Sequence, residues 1–302
     1  MSLISIVKGS ITLAGLLHRP NTTGKAPGLV VVHPGGGVKE QTANTYALRL
    51  SQQGYVSVAF DASHQGASGG VPHYLEDPNA RVSDVSAVVD YLQGLDYVDA
   101  NAIAVLGICA GGGYGVAAAT TDHRIKAVVS VSGVNIGDNW LRGWLGDLDP
   151  ADYTPTLDQI AQQIQAESQG GNVTFLPYLP TPDETTAPDL VDAWDYYRTP
   201  RGFYPTSENK MVAQSVPLIT RFDAWQFADL YLKKPALFIA GESADSKWNT
   251  DIIYDIVKDT NPDAKKIIVP GGRHMDFYDR EEYVAPTITN VTEFLNSYLG
   301  RH

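Results

Sequence analysis

The chain has 302 residues, a formal charge of −12, 43% hydrophobic residues and 19% charged residues. Because an acidic surface repels phosphate backbones and anionic lipid, we expect neither nucleic acid nor a membrane surface as a partner. No run approaches the roughly 18 consecutive apolar residues of a membrane span, and the N-terminal segment lacks a basic region and a cleavage pattern, so we expect a soluble, cytoplasmic protein. The single cysteine excludes an internal disulfide, and the sequence leaves a homo-oligomer open.

Short apolar runs alternate with helical patterns along the first 133 residues. ISIVK and ITLAGLL alternate in polarity and predict a pair of strands, and the β-branched run APGLVVVHP predicts a strand buried on both faces. Asp77 and Pro78 are typical of the first residues of a helix. The other predicted elements are a helix at 42–54, strands at 55–63 and 101–109, a helix at 111–121 and a strand at 125–133.

This alternation of strands and helices predicts the fold class. Parallel strands cannot be joined by tight hairpins, so crossover helices indicate an α/β protein with a doubly wound, mostly parallel sheet. The pattern stops at Val134 and resumes at 234–243, a gap of roughly a hundred residues that exceeds an ordinary connection. We therefore expect a core of residues 1–133 and 234–302 with an insertion at 134–233.

The insertion holds 14 of the 29 aromatic residues. It contains two predicted helices, at 157–164 and 190–197, and a proline-rich loop at 173–189. Exposed aromatics are costly, so we expect a packed lid that could line a pocket, and a small satellite core without a ligand is the alternative. Beyond it come predicted strands at 235–241 and 265–272, with helices near 250–257 and 283–299.

Gly107-Ile108-Cys109-Ala110-Gly111 matches the G-x-S-x-G nucleophile elbow with sulfur in place of oxygen. Its context, an apolar strand before and a small-residue helix after, is that of a strained strand-to-helix turn. The amides and dipole of a helix N-terminus favour a thiolate, so we predict that Cys109 is a nucleophile. The alternative is an inert cysteine buried as a small apolar side chain.

A nucleophile of this kind needs a base, and His274 is the best placed of the seven histidines. It follows a predicted strand, at the sheet edge where the elbow also lies. His64 and His73 lie in the loop after strand 55–61 and remain alternatives. We expect three further histidines at the surface: His18, His123 and His302.

The orienting acid should follow the strand at 235–241, where the chain offers Glu242 and Asp245. We predict Asp245, since Glu242 comes directly after the strand and could point away. The chain order nucleophile, acid, histidine is then that of an α/β-hydrolase triad. Asp245 could also cap the helix that follows, a role compatible with catalysis.

HPGGG at 33–37 directly follows a strand and resembles an HGGG-type oxyanion motif. We expect one oxyanion amide from Gly35 or Gly36 and another from Ala110. A phosphate-binding loop fits neither glycine cluster, because GxxxxGK[ST] and GxGxxG are both absent. No histidine and carboxylate spacing indicates a metal site, so we expect neither metal nor cofactor.

These motifs together resemble the α/β-hydrolase superfamily and, within it, dienelactone hydrolase-like proteins, whose elbow carries cysteine in a GxCxGG setting. The resemblance covers about residues 26–133 and 234–300 and rests on GICAGG, Asp245 and His274. It implies hydrolysis of a small-molecule ester, lactone or thioester through an acyl-cysteine. Dienelactone hydrolases differ in placing a glutamate where this chain has His33-Pro34, and in lacking so long an insertion. The chain is also similar to fungal polyketide transferases and thiohydrolases, which implies acyl transfer to a non-water acceptor as the alternative.

Overall fold

The computed structural model describes residues 1–300. Its strands are β1 (Ser2–Lys8), β2 (Ile11–His18), β3 (Ala26–Val32), β4 (Val56–Phe60), β5 (Val98–Ile108), β6 (Ile125–Val131), β7 (Phe175–Leu176), β8 (Met211–Val212), β9 (Ala236–Gly241) and β10 (Ala264–Val269). Its α-helices are α1 (Thr42–Gln52), α2 (Pro78–Gln93), α3 (Ala110–Thr121), α4 (Ile136–Arg142), α5 (Thr154–Ser168), α6 (Pro188–Arg198), α7 (Val216–Thr220), α8 (Ala228–Tyr231), α9 (Lys247–Val257), α10 (Asp276–Asp279) and α11 (Glu281–Tyr298).

Eight strands form one sheet in the order β1-β2-β4-β3-β5-β6-β9-β10. β1 pairs with β2 and β2 with β4 in antiparallel fashion, whereas every pair from β4 to β10 is parallel. Both the doubly wound, mostly parallel sheet and the N-terminal strand pair are thereby confirmed.

The core lies on both faces of this sheet. Along β3, Val30 and Val32 pack into one hydrophobic cluster while Leu29 and Val31 pack into the other, because successive side chains of a strand point to opposite faces. This two-sided burial explains the continuous apolar run of β3. It also places the carboxyl ends of the parallel strands, and the loops that follow them, at one edge of the sheet.

Outside the insertion, the helix starts predicted from the sequence agree with the structure to within a few residues. The Asp77 side chain accepts a hydrogen bond of 2.9 Å from the amide of Asn79, and Pro78 is the first residue of α2, as expected of that pair. α9 begins at Lys247, three residues before its predicted start.

No helix within residues 1–300 is long and apolar enough to cross a membrane.

Residues 134–233, called the inserted segment below, contain α4 to α8 and a small sheet of β7 and β8. Both predicted helices exist, as parts of α5 and α6. The expectation that the aromatic residues pack inside is only partly right. Tyr196, Tyr197 and Trp225 are buried, but four others are close to half exposed: Phe175, Phe203, Phe227 and Tyr231.

Candidate active site

Cys109 lies at the apex of a sharp turn between β5 and α3, with φ 55° and ψ −126°. Both flanking glycines are required by space. A Cβ on Gly107 would lie 1.9 Å from the carbonyl oxygen of Gly111, and one on Gly111 would lie 2.3 Å from the carbonyl oxygen of Val32. The turn thus stores backbone strain and presents the thiol at the carboxyl end of the sheet.

The thiol of Cys109 is partly buried and has three hydrogen-bonding neighbours: the Tyr278 hydroxyl and the amides of Ala110 and Gly35. Burial raises the pKa of Cys109 above its ordinary value, and these hydrogen bonds offset only part of that effect. The amide of Ala110 at the helix N-terminus lowers the pKa as expected, but burial has the larger and opposite effect. A nucleophilic role for this thiol therefore calls for a base nearby.

His274 is buried, and its ring is held on three sides. Nδ1 lies 2.6 Å from the Ser246 hydroxyl, Nε2 lies 3.4 Å from the Tyr278 hydroxyl, and the Trp144 ring packs edge-on with centroids 4.9 Å apart. Burial lowers the pKa of His274 to about 3, so the imidazole is neutral at pH 7. If Nδ1–H donates to Ser246, the lone pair of Nε2 is free to accept a proton.

The thiol and the imidazole share one neighbour. Among residues 1–300 no hydrogen bond joins Cys109 directly to His274, but the buried Tyr278 hydroxyl hydrogen-bonds to both. Sequence reasoning missed Tyr278. Its only signal is its position, one helical turn after His274.

Within residues 1–300 no hydrogen bond joins Asp245 to His274, so the structure does not bring the predicted acid to the imidazole. The carboxylate accepts a hydrogen bond of 3.2 Å from the amide of Asp189, while the next residue, Ser246, reaches the imidazole. The reason is the turn after β9, which directs Asp245 toward α6 of the inserted segment. Asp245 does not cap α9 either, because the N-cap position is Ser246 and no side chain bonds there. Glu242 is exposed and accepts from the amide of Gly271, so it points away as expected.

Asp189, at the start of α6, is a buried carboxylate that ties the inserted segment to these loops. It accepts hydrogen bonds from the amide of Asp245 at 2.7 Å and from the amide of His274. The Arg273 guanidinium lies 3.4 Å away. Burial raises the pKa of Asp189 to about 6, although the hydrogen bond from the amide of Asp245 acts to lower it. One side chain thus holds the backbone of both loops that carry Ser246 and His274.

The glycine loop after β3 turns its first amide toward the sulfur. Gly35 N–H bonds to the thiol, whereas Gly36, with φ 68°, gives its amide to the Tyr178 hydroxyl. The Tyr178 ring lies directly on the loop, since a Cβ on Gly36 would come within 2.9 Å of it. Of the two glycines predicted as an oxyanion donor, Gly35 is the one whose amide, like that of Ala110, bonds to the sulfur.

Buried polar groups support this loop from beneath. The Tyr178 hydroxyl donates to Glu76, which also accepts from the Tyr114 hydroxyl at 2.6 Å and lies 3.7 Å from the Arg81 guanidinium. Arg81 in turn donates to the carbonyl oxygen of His33 at 2.6 Å. His33 does not line the site, and its ring instead bonds to neighbouring backbone.

The remaining histidines within residues 1–300 make their contacts away from the thiol. His64 bonds to the carbonyl oxygen of Pro72 and His73 stacks on Tyr74, and neither lines the cavity described next. His123 is exposed as expected. His18 is buried, 2.8 Å from Asn44 Oδ1, so its predicted surface position is wrong. His302 lies outside the described residues.

A cavity of about 270 Å³ opens onto Cys109 and His274. This is slightly below the roughly 300–1,000 Å³ of pockets for drug-sized ligands. The inserted segment supplies most of its lining, including Trp140, Trp144 and Tyr178. No Asp, Glu, Lys or Arg is among the described lining residues, and within residues 1–300 no cluster of His, Cys, Asp or Glu could hold a metal ion. The site is therefore an apolar, aromatic chamber with a thiol and an imidazole at one wall.

The largely parallel eight-stranded sheet, with a strained turn after β5, defines the α/β-hydrolase fold. Residues 8–166, just over half of the chain, match the X-Pro dipeptidyl-peptidase family (S15 family). The chain belongs to this family, and family and fold together support a hydrolase.

Three relatives place the chain more closely. The uncharacterized protein YcjY of Escherichia coli K12 is 41% identical over 295 residues, which cover 96% of this chain and 95% of that protein. The crystal structure of the hypothetical protein PA2218 from Pseudomonas aeruginosa has a TM-score of 0.92 at 30% identity, covering 98% of this chain and 93% of that one. The thiohydrolase aneE of Aspergillus aculeatus is 29% identical over 121 residues, covering 40% of this chain and 37% of that protein.

Proposed function

We propose that this protein cleaves an ester, lactone or thioester of a small acyl group through an acyl-cysteine intermediate on Cys109. The observation that carries the proposal is the set of contacts around the sulfur: amides of Gly35 and Ala110 on one side, and the Tyr278 hydroxyl, which also contacts His274, on the other. The sulfur of Cys109 therefore has two candidate oxyanion donors beside it, and a hydroxyl that links it to a neutral base.

The first step is attack of the sulfur on the substrate carbonyl. A raised thiol pKa and a lowered imidazole pKa make the resting pair neutral, so the proton moves during attack and not beforehand. Tyr278 gives its hydroxyl proton to Nε2 of His274 and receives the thiol proton, which balances the transfer. Ser246 accepts the Nδ1–H and stabilises the imidazolium that forms.

The second step is collapse of the tetrahedral intermediate. Its oxyanion is stabilised by the amides of Gly35 and Ala110, which already hydrogen-bond to the sulfur. The imidazolium returns its proton to the departing alcohol or thiol. His274 then acts as base on a water molecule, which hydrolyses the acyl-cysteine and regenerates the thiol.

The lack of charged side chains among the described lining residues favours esters and thioesters over the X-Pro peptides that the family name indicates. A peptide with a free N-terminus brings an ammonium group, which needs a carboxylate partner when it is buried. The described cavity lining supplies none. An uncharged acyl group suits this chamber, and a relative named as a thiohydrolase supports thioesters among the substrates.

Acyl transfer is the second candidate, and the apolar cavity is the observation that favours it. The aromatic side chains of the inserted segment limit the access of water to the acyl-cysteine. An alcohol or amine bound in the same chamber could then take the acyl group in place of water. The two candidates share every step up to the acyl-cysteine and differ only in the acceptor.

The test is turnover of short aryl esters, lactones and acyl thioesters by the wild type and by Cys109→Ala. We expect Cys109→Ala to lower kcat/KM by about 10⁴-fold or more, as loss of a nucleophile does elsewhere. Mass spectrometry of the quenched wild type should show one acyl group on Cys109. Equal rates for the two proteins would refute the proposal. Product analysis with added alcohols and amines then separates hydrolysis from transfer.

A further inference from the structure

The inserted segment contacts the glycine loop after β3 through Tyr178. The Tyr178 ring packs on the loop, since a Cβ placed on Gly36 would come within 2.9 Å of the ring and one on Gly35 within 3.5 Å. The Tyr178 hydroxyl accepts a hydrogen bond from the amide of Gly36 and donates one to the buried carboxylate of Glu76. One side chain of the insertion therefore joins the loop that carries a candidate oxyanion donor to a buried carboxylate of the core.

The two glycines need such support because glycine restricts its own backbone rotation very little. Gly36 has a φ of 68°, in the left-handed region that glycine enters freely. The peptide before Gly35 is held from the core, where the carbonyl oxygen of Pro34 lies 2.7 Å from Nδ1 of His33. The peptide after Gly35 is held from the insertion, because its amide bonds to Tyr178. The direction of the Gly35 amide is therefore set by two contacts, one on each side.

The hydroxyl of Tyr178 is well suited to hold an amide. Burial, together with the carboxylate of Glu76, raises the pKa of Tyr178 well above its ordinary value, so the phenol keeps its proton at neutral pH. A protonated phenol can donate to Glu76 and accept from Gly36 at the same time. Donation to a carboxylate polarises the phenol oxygen and makes it a stronger acceptor for the amide.

The backbone around Tyr178 is itself held in place. The amide of Leu179 donates to Oδ1 of Asn209 at 2.8 Å, and its carbonyl oxygen accepts from Nδ2 of the same side chain at 3.0 Å. β7, which pairs with β8, ends at Leu176, two residues before Tyr178. The Tyr178 hydroxyl is therefore a fixed partner for the glycine loop.

A second contact from the insertion holds the same loop at a greater distance from the donor. The Ser207 hydroxyl donates a hydrogen bond of 2.7 Å to the carbonyl oxygen of Gly36. That carbonyl belongs to the peptide beyond Gly36, one unit further from Gly35 than the amide that Tyr178 holds. Loss of the Ser207 contact should therefore disturb Gly35 less than loss of the Tyr178 hydroxyl.

We propose that Tyr178 is a positioning residue for the oxyanion site, which fixes the direction of the Gly35 amide by holding the amide of Gly36. This inference rests on the proposed function, since it concerns the donor that stabilises the oxyanion during attack by Cys109. A misdirected amide weakens stabilisation of the transition state and leaves binding of the ground state almost unchanged. The inserted segment then contributes to the rate of the reaction as well as to the cavity wall.

The first measurement is the steady-state kinetics of Tyr178→Phe with one acyl thioester. The substitution removes the hydroxyl and keeps the ring that lines the cavity. Loss of an oxyanion donor lowers kcat by about 10²–10³-fold elsewhere, so a displaced donor should lower kcat by about 10–100-fold, with KM changed by about threefold or less. Ser207→Ala should lower kcat by only about threefold. A KM that rises while kcat stays constant would contradict the positioning role.

The second measurement separates positioning from a general loss of structure. A trifluoromethyl ketone that carries the acyl chain of the substrate adds reversibly to Cys109: the S–C bond forms, the carbonyl oxygen becomes the oxyanion, and the thiol proton passes to His274. The corresponding trifluoromethyl carbinol cannot add, so it reports binding of the ground state. In Tyr178→Phe the inhibition constant of the ketone should rise by about as much as kcat falls, while that of the carbinol stays at the wild-type value.

Tyr55→Phe is the matched control. It removes another tyrosine hydroxyl, which donates a hydrogen bond of 2.8 Å to Oδ1 of Asn296, and Tyr55 does not line the described cavity. This variant should lower the urea midpoint to a similar extent but leave kcat and both inhibition constants unchanged. Unaltered ketone inhibition in Tyr178→Phe, equal weakening of ketone and carbinol, or the same kinetic loss in Tyr55→Phe would overturn the inference. If Tyr178→Phe does not fold, Ser207→Ala takes its place, and unaltered ketone inhibition in that variant refutes the inference.

Failure of the proposed function would be visible separately. Full turnover by Cys109→Ala, or a ketone whose fluorine NMR signal shows no adduct with the wild type, would refute the acyl-cysteine reaction and this inference with it. An adduct on wild-type Cys109 that forms equally tightly in Tyr178→Phe would refute the positioning role alone and leave the proposed function standing.

Discussion

The two walls of the cavity differ in how their polar groups are paired. On the wall built from the sheet, Cys109, Ser246 and His274 all have hydrogen-bond partners within the protein. On the wall built from the inserted segment, aromatic and aliphatic side chains predominate, and three described residues there carry a buried polar atom without a hydrogen-bond partner: Asn139, Trp144 and Tyr197. The difference suggests two tasks, because groups that bond to one another are held in position for the proposed chemistry, whereas an uncharged, largely apolar wall suits the binding of an acyl group.

The comparison predicts that changes on the sheet wall lower the rate for every substrate. After loss of the proposed nucleophile itself, the largest such effect should follow His274→Asn, which removes the proposed base, and we expect kcat to fall about 10³-fold with little change in KM. His64→Asn is the matched control, because that ring bonds to a loop carbonyl away from the cavity. Steady-state kinetics measures both, and a fall of less than tenfold for His274→Asn would contradict the mechanism.

The pH dependence of alkylation at Cys109 tests how the sulfur on the sheet wall is held. Below the raised pKa of Cys109, the thiolate fraction grows tenfold for each unit of pH. Alkylation of the thiol by chloroacetamide should therefore accelerate about 100-fold from pH 7 to pH 9. A stopped assay with mass detection measures this rate. A constant rate over that range would reveal a thiolate paired with imidazolium, and the neutral resting pair would be wrong.

Asp189 joins the two walls, so its removal should loosen both. Asp189→Ala leaves the buried amides of Asp245 and His274 without acceptors, and we expect a loss of about 2–3 kcal/mol in unfolding free energy. Asp192→Ala is the control on the same helix, where a part-exposed ion pair with Arg201 contributes about 1 kcal/mol or less. Urea unfolding measures both, and equal losses would deny Asp189 a special role.

The raised pKa of Asp189 adds a dependence on pH. The native carboxyl binds its proton more tightly than the unfolded chain, so its contribution is full below about pH 4 and is lost as pH rises through about 6. The gap in stability between wild type and Asp189→Ala should therefore be larger at pH 4 than at pH 7. A gap that widens toward neutral pH would show that the pKa is lowered instead.

The smallest expected change in rate tests whether Ser246 or Asp245 orients the imidazole of His274. Ser246→Ala removes the partner of Nδ1 and should lower kcat about tenfold, whereas Asp245→Asn keeps an oxygen for the amide of Asp189 and should cost about threefold or less. Kinetics with one thioester measures both. The reverse order would return Asp245 to the role that the sequence predicted for it.

Sequence patterns predicted the sheet and the elbow because both depend on local rules. A β-branched run predicts a buried strand, and two glycines around Cys109 are dictated by contacts of 1.9 and 2.3 Å that any side chain would create. The contacts made by side chains far apart in sequence were not predictable in this way. Whether Asp245 or Ser246 reaches His274 depends on a single turn after β9, and one residue of difference reverses the answer.

The contacts of the inserted segment were harder still to predict from the sequence. Its aromatic content predicted packing but not which rings face the substrate, and several remain half exposed. Asp189 followed no motif, since an aspartate after a proline at a helix start is ordinary capping sequence. Its importance comes from burial against loops more than fifty residues further along the chain, which no local pattern reports.

The raised pKa of Cys109 also bears on how long the proposed enzyme would survive. Peroxides oxidise thiolates far faster than thiols, and over-oxidation to sulfinic or sulfonic acid is irreversible for most proteins. A sulfur that loses its proton only when a carbonyl is present would be shielded from such damage between turnovers. The same burial that slows its reaction with reagents would thus preserve the only cysteine of the chain under oxidative stress.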